Sequence, residues 1–174
     1  MNQSKTFGEL RESGYVHKTI KEEMRQNLIK KMQSGEERFP GIVGYEDTVI
    51  PDTERAILSR HNMLFLGLRG QAKTRMARQM TDLLDDFVPY ITGSDIYDDP
   101  FNPISGFGKS QISSLGDETP ITWLHKSERY GEKLATPDVS VADLIGDIDP
   151  VKAANLRLNF SDERVIHYGI IPRS

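Results

Sequence analysis

Eight residues, Gly67-Leu68-Arg69-Gly70-Gln71-Ala72-Lys73-Thr74, follow the apolar run Asn62-Met63-Leu64-Phe65-Leu66. Two glycines, a lysine and a hydroxyl residue at this spacing can grip polyphosphate. Successive backbone N–H groups from Gly67 to Thr74 can curve around a β-phosphate, whose oxygens need several donors at once. Lys73 would reach the β- and γ-phosphates and neutralise charge there, which makes it the candidate catalytic residue. The Thr74 hydroxyl would ligate Mg2+. The usual phosphate loop has glycine immediately before the lysine, and here Ala72 takes that place. A methyl group is tolerated there at negative φ, as at a helix start, but not at positive φ or against a phosphate oxygen. Gly67, Gly70, Gln71, Ala72, Lys73, Thr74 and Arg75 form the candidate phosphate-binding set, with ATP and Mg2+ as the cofactors.

Such a loop must be held between a strand and a helix. Residues 62–68 form a short, continuous apolar run, which predicts a buried strand of a parallel sheet. From Lys73 the spacing of Met76, Met80, Leu83, Leu84 and Phe87 predicts a helix that Pro89 stops. Upstream, Val16, Ile20, Met24, Leu28 and Met32 recur every four residues and predict a helix over 16–33. Residues 48–62 predict a second helix, with Pro51 near its start and Asp52 and Glu54 in the first turn. Residues 90–96 are a candidate next strand. Residues 97–120, with three prolines and three glycines, read as a long surface insertion. Beyond it the pattern suggests short strands or a hairpin, a brief helix near 150–158, and a last strand or loop over 163–171.

Composition narrows the function. The chain has 174 residues, of which 37% are hydrophobic and 28% charged, the balance of a globular domain rather than a disordered one. A net charge of -4 offers no general attraction to nucleic acid or to an anionic membrane. The longest apolar run is far too short to span a bilayer. With no cysteine, thiol catalysis, disulfides and cysteine-based metal sites are excluded, and a reducing, cytoplasmic setting is expected. His17, His61, His125 and His167 lack metal-ligand spacing. Ser105, Ser110, Ser113 and Ser114 lack a nucleophile elbow. Asp143, Asp147 and Asp149 read as turn and cap residues rather than a metal site. Asp98 and Asp99 read as solvated loop residues, and Trp123 as core or hairpin packing.

Four blocks in order, GIVGYEDTVIPDTERAIL, NMLFLGLRGQAKTR, ATPDVSVADLIGDIDPVKAA and HYGIIPRS, resemble the AAA+ ATPases of the magnesium chelatase subunit I and MoxR-type group. The resemblance spans residues 39–174. It implies an α/β P-loop core with an incomplete parallel sheet flanked by helices, an N-terminal helical segment over 1–38, and a hairpin or loop insertion over about 97–135. It implies ATP hydrolysis coupled to remodelling a partner, by a homo-oligomeric ring acting with a protein partner subunit. Ile42, Val43 and Gly44 match the segment beside the adenine, and two apolar side chains between glycines suit a flat base. Hydrolysis also needs a strand of four apolar residues ending in Asp-Glu or Asn-Glu, and none is found. In relatives it follows the stretch resembling GIIPRS. The chain is therefore expected to be the N-terminal part of a larger ATPase, binding nucleotide but hydrolysing it very slowly. A rival expectation is a non-catalytic interaction module with a degenerate phosphate loop.

Overall fold

The structure, a computed structural model, describes residues 4–174. In chain order these form α1 (Phe7–Glu12), α2 (Ile20–Ser34), α3 (Val49–Leu58), α4 (Lys73–Gln79), β1 (Phe87–Ile91), α5 (Gly106–Leu115), β2 (Ile121–His125), α6 (Val141–Leu144), β3 (Gly146–Ile148), α7 (Pro150–Leu156) and β4 (Ile166–Tyr168). They fall into two units: Val16–Asp86, and the stretch up to Tyr15 together with Phe87–Ser174. The class is mixed α/β. Among the described residues, no helix is long and apolar enough to cross a membrane.

The Val16–Asp86 unit is helical. Its core is Leu28, Phe39, Ile42, Ile57, Met76 and Leu83, with Met63, Phe65 and Ala72 packed against them. α2 begins at Ile20 rather than at residue 16, because Thr19 caps it by accepting from the Glu22 amide at 3.3 Å. Val16 is left outside the helix and exposed. Gly35, in the left-handed region, closes α2. Buried Glu23 accepts the Asp85 amide, and Asn27 donates to Leu83 O at 3.0 Å and to Asp85 at 2.8 Å. These bonds fasten α2 to the end of the α4 segment. α3 starts two residues before Pro51, as its spacing predicts.

The run 62–68 is not a strand. It has no regular secondary structure, and the only sheets among the described residues are the pairs β1–β2 and β3–β4, both antiparallel. Met63 and Phe65 turn inward while Leu64, Leu66 and Leu68 are 80%, 83% and 77% exposed. A buried parallel strand needs a hydrogen-bonded neighbour reached by a crossover and a covered second face, and this run has neither. The expected parallel sheet is therefore replaced by two small antiparallel ones. The helix from Lys73 is also shorter than predicted. It ends at Gln79, tightens to a 3₁₀ turn over Met80–Leu83, and becomes extended at Leu84. Phe87 then opens β1, and Pro89 sits inside that strand opposite Trp123. A two-stranded ribbon tolerates a proline, whose missing N–H can face away from the partner strand.

In the second unit the stretch 97–120 is ordered, not a bare loop. Ser105 caps α5 by accepting the Gly108 amide at 2.8 Å. Asp98, read from sequence as solvated, is only 2% exposed. Its carboxylate accepts from the Ser94 hydroxyl at 2.8 Å, the Ile104 amide at 2.8 Å, and the amide and hydroxyl of Ser105. Glu163 accepts from the Gly106 and Phe107 amides at 2.9 and 2.8 Å. Asp143 and Ser140 form a capping box at α6, and Asp149 caps α7 ahead of Pro150. Asp147 accepts the Ile148 amide, so all three acids of this cluster act in turns and caps. Trp123 lies in β2 and donates its indole N–H to Ser4 O at 2.8 Å.

Candidate functional site: the Gly67–Arg75 loop

The loop leaves the core at Phe65, turns at Gly70 with φ +79°, and re-enters at Ala72. Among the described residues, the amides of Leu68, Arg69, Gly70 and Ala72 donate to no acceptor in the protein, while the hydrogen-bonded turn at 69–70 directs the Gln71 amide at Leu68 O. A row of open amides is what an anion-binding concavity requires. Lys73 is drawn back over the loop and donates to Gly67 O at 2.9 Å and to Leu68 O. The Gln71 side chain lies against Gly67: a Cβ built there would land on Gln71 Oε1, with Lys73 Nζ 4.0 Å away. Thr74 and Arg75 are exposed.

Ala72 adopts φ 54°, ψ 11°, the left-handed region. The negative φ expected of a residue at a helix start is therefore overturned, and by the criterion set from sequence Ala72 counts against a standard phosphate loop and for the degenerate-loop reading. For a residue with a Cβ this conformation costs roughly 1–2 kcal/mol. The methyl packs against the core cluster, which returns roughly 0.8 kcal/mol and explains how the residue is held there.

The adenine segment predicted from sequence divides. Ile42 is a core residue, 5% exposed, whereas Val43 is 82% exposed and Gly44 occupies the left-handed region at φ +85°. The two apolar side chains therefore do not form one flat face, because the turn closed by the Ile42 amide on Phe39 O sends them apart. The turn is nevertheless tied to α4. Arg75 donates to Pro40 O at 3.3 Å and Gln79 to the same oxygen at 2.8 Å. Glycine suits position 41 for its φ of +69°, and a Cβ there would also displace the end of the Arg75 side chain. Beside this turn is a hollow of about 190 Å³ lined by Glu37, Arg38, Phe39, Ile42, Glu46 and Ile50. That is smaller than the roughly 300 Å³ at which ordinary small-molecule pockets begin, so it suits one end of a nucleotide. Hydrogen bonds from the backbone amides of Glu46 itself, Gly44 and Tyr45 hold the Glu46 carboxyl below its usual range, so it is an anion at neutral pH. Phosphate is disfavoured at this rim. A larger hollow of about 560 Å³ lies in the other unit, contains none of the loop residues, and is edged by Glu128, Glu132, Asp143 and Asp147.

One signal in the sequence strengthens the site. From Arg55 to Thr81 there are six arginines and lysines and no acid, in a chain whose net charge is -4. Of the six, Arg55 pairs with Asp52 and Arg60 with Glu22. Arg69, Lys73 and Arg75 belong to the loop itself, with Arg75 turned to Pro40 O. No cluster of His, Asp and Glu that could hold a metal ion is found among the described residues. The oxygen of Thr74 and those of a bound triphosphate are the donors that would hold Mg2+, and they suit a hard cation. No protein-family model, no curated protein and no solved structure matches the chain.

Proposed function

We propose that this chain binds ATP with Mg2+ through the Gly67–Arg75 loop, as a segment of an AAA+ motor resembling magnesium chelatase subunit I and the MoxR-type proteins. The observation that carries the reading is the set of open amides at Leu68, Arg69, Gly70 and Ala72 beside Lys73, within a stretch free of acids. The amides take the β-phosphate, Lys73 neutralises the β- and γ-phosphates, and Thr74 holds Mg2+. The base end lies toward the turn at Ile42, Val43 and Gly44, which Arg75 and Gln79 tie to the same helix. The acidic strand end that polarises attacking water is not found in the sequence, so the proposal is for binding with very slow hydrolysis. In the intact motor, hydrolysis drives remodelling of a protein partner by a homo-oligomeric ring in the cytoplasm.

A titration with a fluorescent ATP analogue in the presence of Mg2+ tests this. Saturable binding that Lys73→Ala abolishes, and that loses its Mg2+ dependence in Thr74→Ala, supports it. A second reading, an interaction module with a degenerate loop, is favoured by the exposed Leu64, Leu66 and Leu68. It predicts no binding by either wild type or variant.

A further inference from the structure

Two stretches of the chain hold apolar side chains out in water and carry opposite charge. In Val16–Asp86, Leu64, Leu66 and Leu68 are exposed, and Arg69 follows directly. Arg69, Lys73 and Arg75 form no ion pair among the described residues, Lys73 and Arg75 donating only to backbone carbonyls. In the other unit, residues 138–149 contain Asp138, Asp143, Asp147 and Asp149 and no lysine or arginine. Val141 and Ile145, 71% and 58% exposed, lie one helical turn apart, since the Ile145 amide donates to Val141 O at 2.9 Å. Ile148, in β3, is exposed as well. Lys133 approaches Asp143 at 3.5 Å, but Asp138 and Asp147 pair with no base among the described residues.

Neither patch suits its own twin. Two leucine runs laid together would bring the same arginines face to face, and two aspartate faces the same carboxylates, which opposes binding. Each patch suits the other. We infer that copies of this chain associate head to tail, the Leu64–Leu68 run of one copy packing on the Val141–Ile148 face of a second. Burial of the leucines supplies the affinity, and the opposite charges set partner orientation and encounter rate. Such a contact is heterologous: a pair keeps one free patch of each kind, so growth continues with concentration. The inference rests on the homo-oligomeric part of the reading above, for which it names the two surfaces, and it does not require nucleotide in the loop.

The test is sedimentation velocity of the full chain over a range of protein and salt concentrations. One variant disables the run (Leu64→Ser with Leu66→Ser) and another the acidic face (Val141→Ser with Ile145→Ser). All four side chains are exposed, so thermal melts should match wild type. Wild type should assemble with rising concentration and come apart with added salt. Each variant alone should associate at least about tenfold more weakly. Mixed together, the two variants should form one-to-one pairs that grow no further, because each supplies the patch the other lacks. Variants that assemble like wild type overturn the two surfaces and leave the homo-oligomer standing. Variants that fail alone and also fail to pair when mixed overturn the head-to-tail arrangement. A wild type that is monomeric at every concentration overturns the inference and the homo-oligomeric reading together.

Discussion

In the unit containing β1–β4, carboxylates close the loops: Asp98 collects four donors, Glu163 two, and Asp143 and Asp149 cap their helices. In Val16–Asp86 the middle of the chain runs the other way. Its apolar run has no partner strand, and the amides of Leu68, Arg69, Gly70 and Ala72 face no acceptor. The same backbone groups are thus used up internally in one region and left available in the other. Availability has a cost, since open amides and exposed leucines stabilise nothing by themselves. The contrast teaches where to look for a ligand: at the groups the fold has not already satisfied.

The largest effect should come from breaking the closed region. Asp98→Ala strands two hydroxyls and two amides, and should destabilise the protein by about 2–4 kcal/mol in chemical denaturation. Burial pushes the Asp98 carboxyl up, but the hydrogen bonds from Ser105, Ser94 and Ile104 outweigh it and hold the pKa below the ordinary 3.8. A depressed carboxyl contributes stability that is complete above that ordinary value and lost as pH falls through the lower folded one. Asp98→Asn should therefore flatten the acid limb of the stability curve. Next in size is a contrast within the extended run. Phe65→Ala should cost about 2 kcal/mol because the ring packs on the core, while Leu66→Ala should stay within about 0.5 kcal/mol. Equal losses in thermal melts would mean that the alternation is not that of the molecule in solution.

Removing the α7 cap with Asp149→Ala should cost about 1 kcal/mol, read as faster amide exchange at Val151 and Lys152, which donate to it at 2.9 and 3.0 Å. The smallest effect is expected at the loop itself. Ala72→Gly relieves about 1–2 kcal/mol of left-handed strain, loses about 0.8 kcal/mol of methyl burial, and adds about 0.4–1 kcal/mol of unfolded-chain freedom. These nearly cancel, so denaturation midpoints should barely move. A large stabilisation would show that the methyl is not packed on the core.

Local signals carried much of this. Pro51 sits near the start of α3, the helix after the loop begins at Lys73, and the acids of 143–149 act as caps, each because one or two neighbouring residues decide the matter. What the local pattern could not supply was pairing. An apolar run such as 62–68 reads as buried from its own residues, but burial depends on strands elsewhere in the chain, and here none pairs with it. Past the end of α4 the chain is held by Glu23, 62 positions from Asp85, whose amide it accepts, a partner that the local pattern does not reveal. Asp98 looked solvated beside Asp99 and Pro100, yet Ser94 and Ser105 lie close enough in sequence to have suggested a carboxylate staple. Ala72 could not be settled from sequence because it packs against a core cluster drawn from distant parts of the chain.

The most direct test is an amide chemical-shift titration with Mg-ATP. The account predicts that the amides of Leu68 to Thr74 move first and together, followed by those of Ile42 to Gly44, while the capped amides at Gly106 and Phe107 stay still. Unmoved loop amides at millimolar Mg-ATP, or shifts confined to other residues, would contradict it.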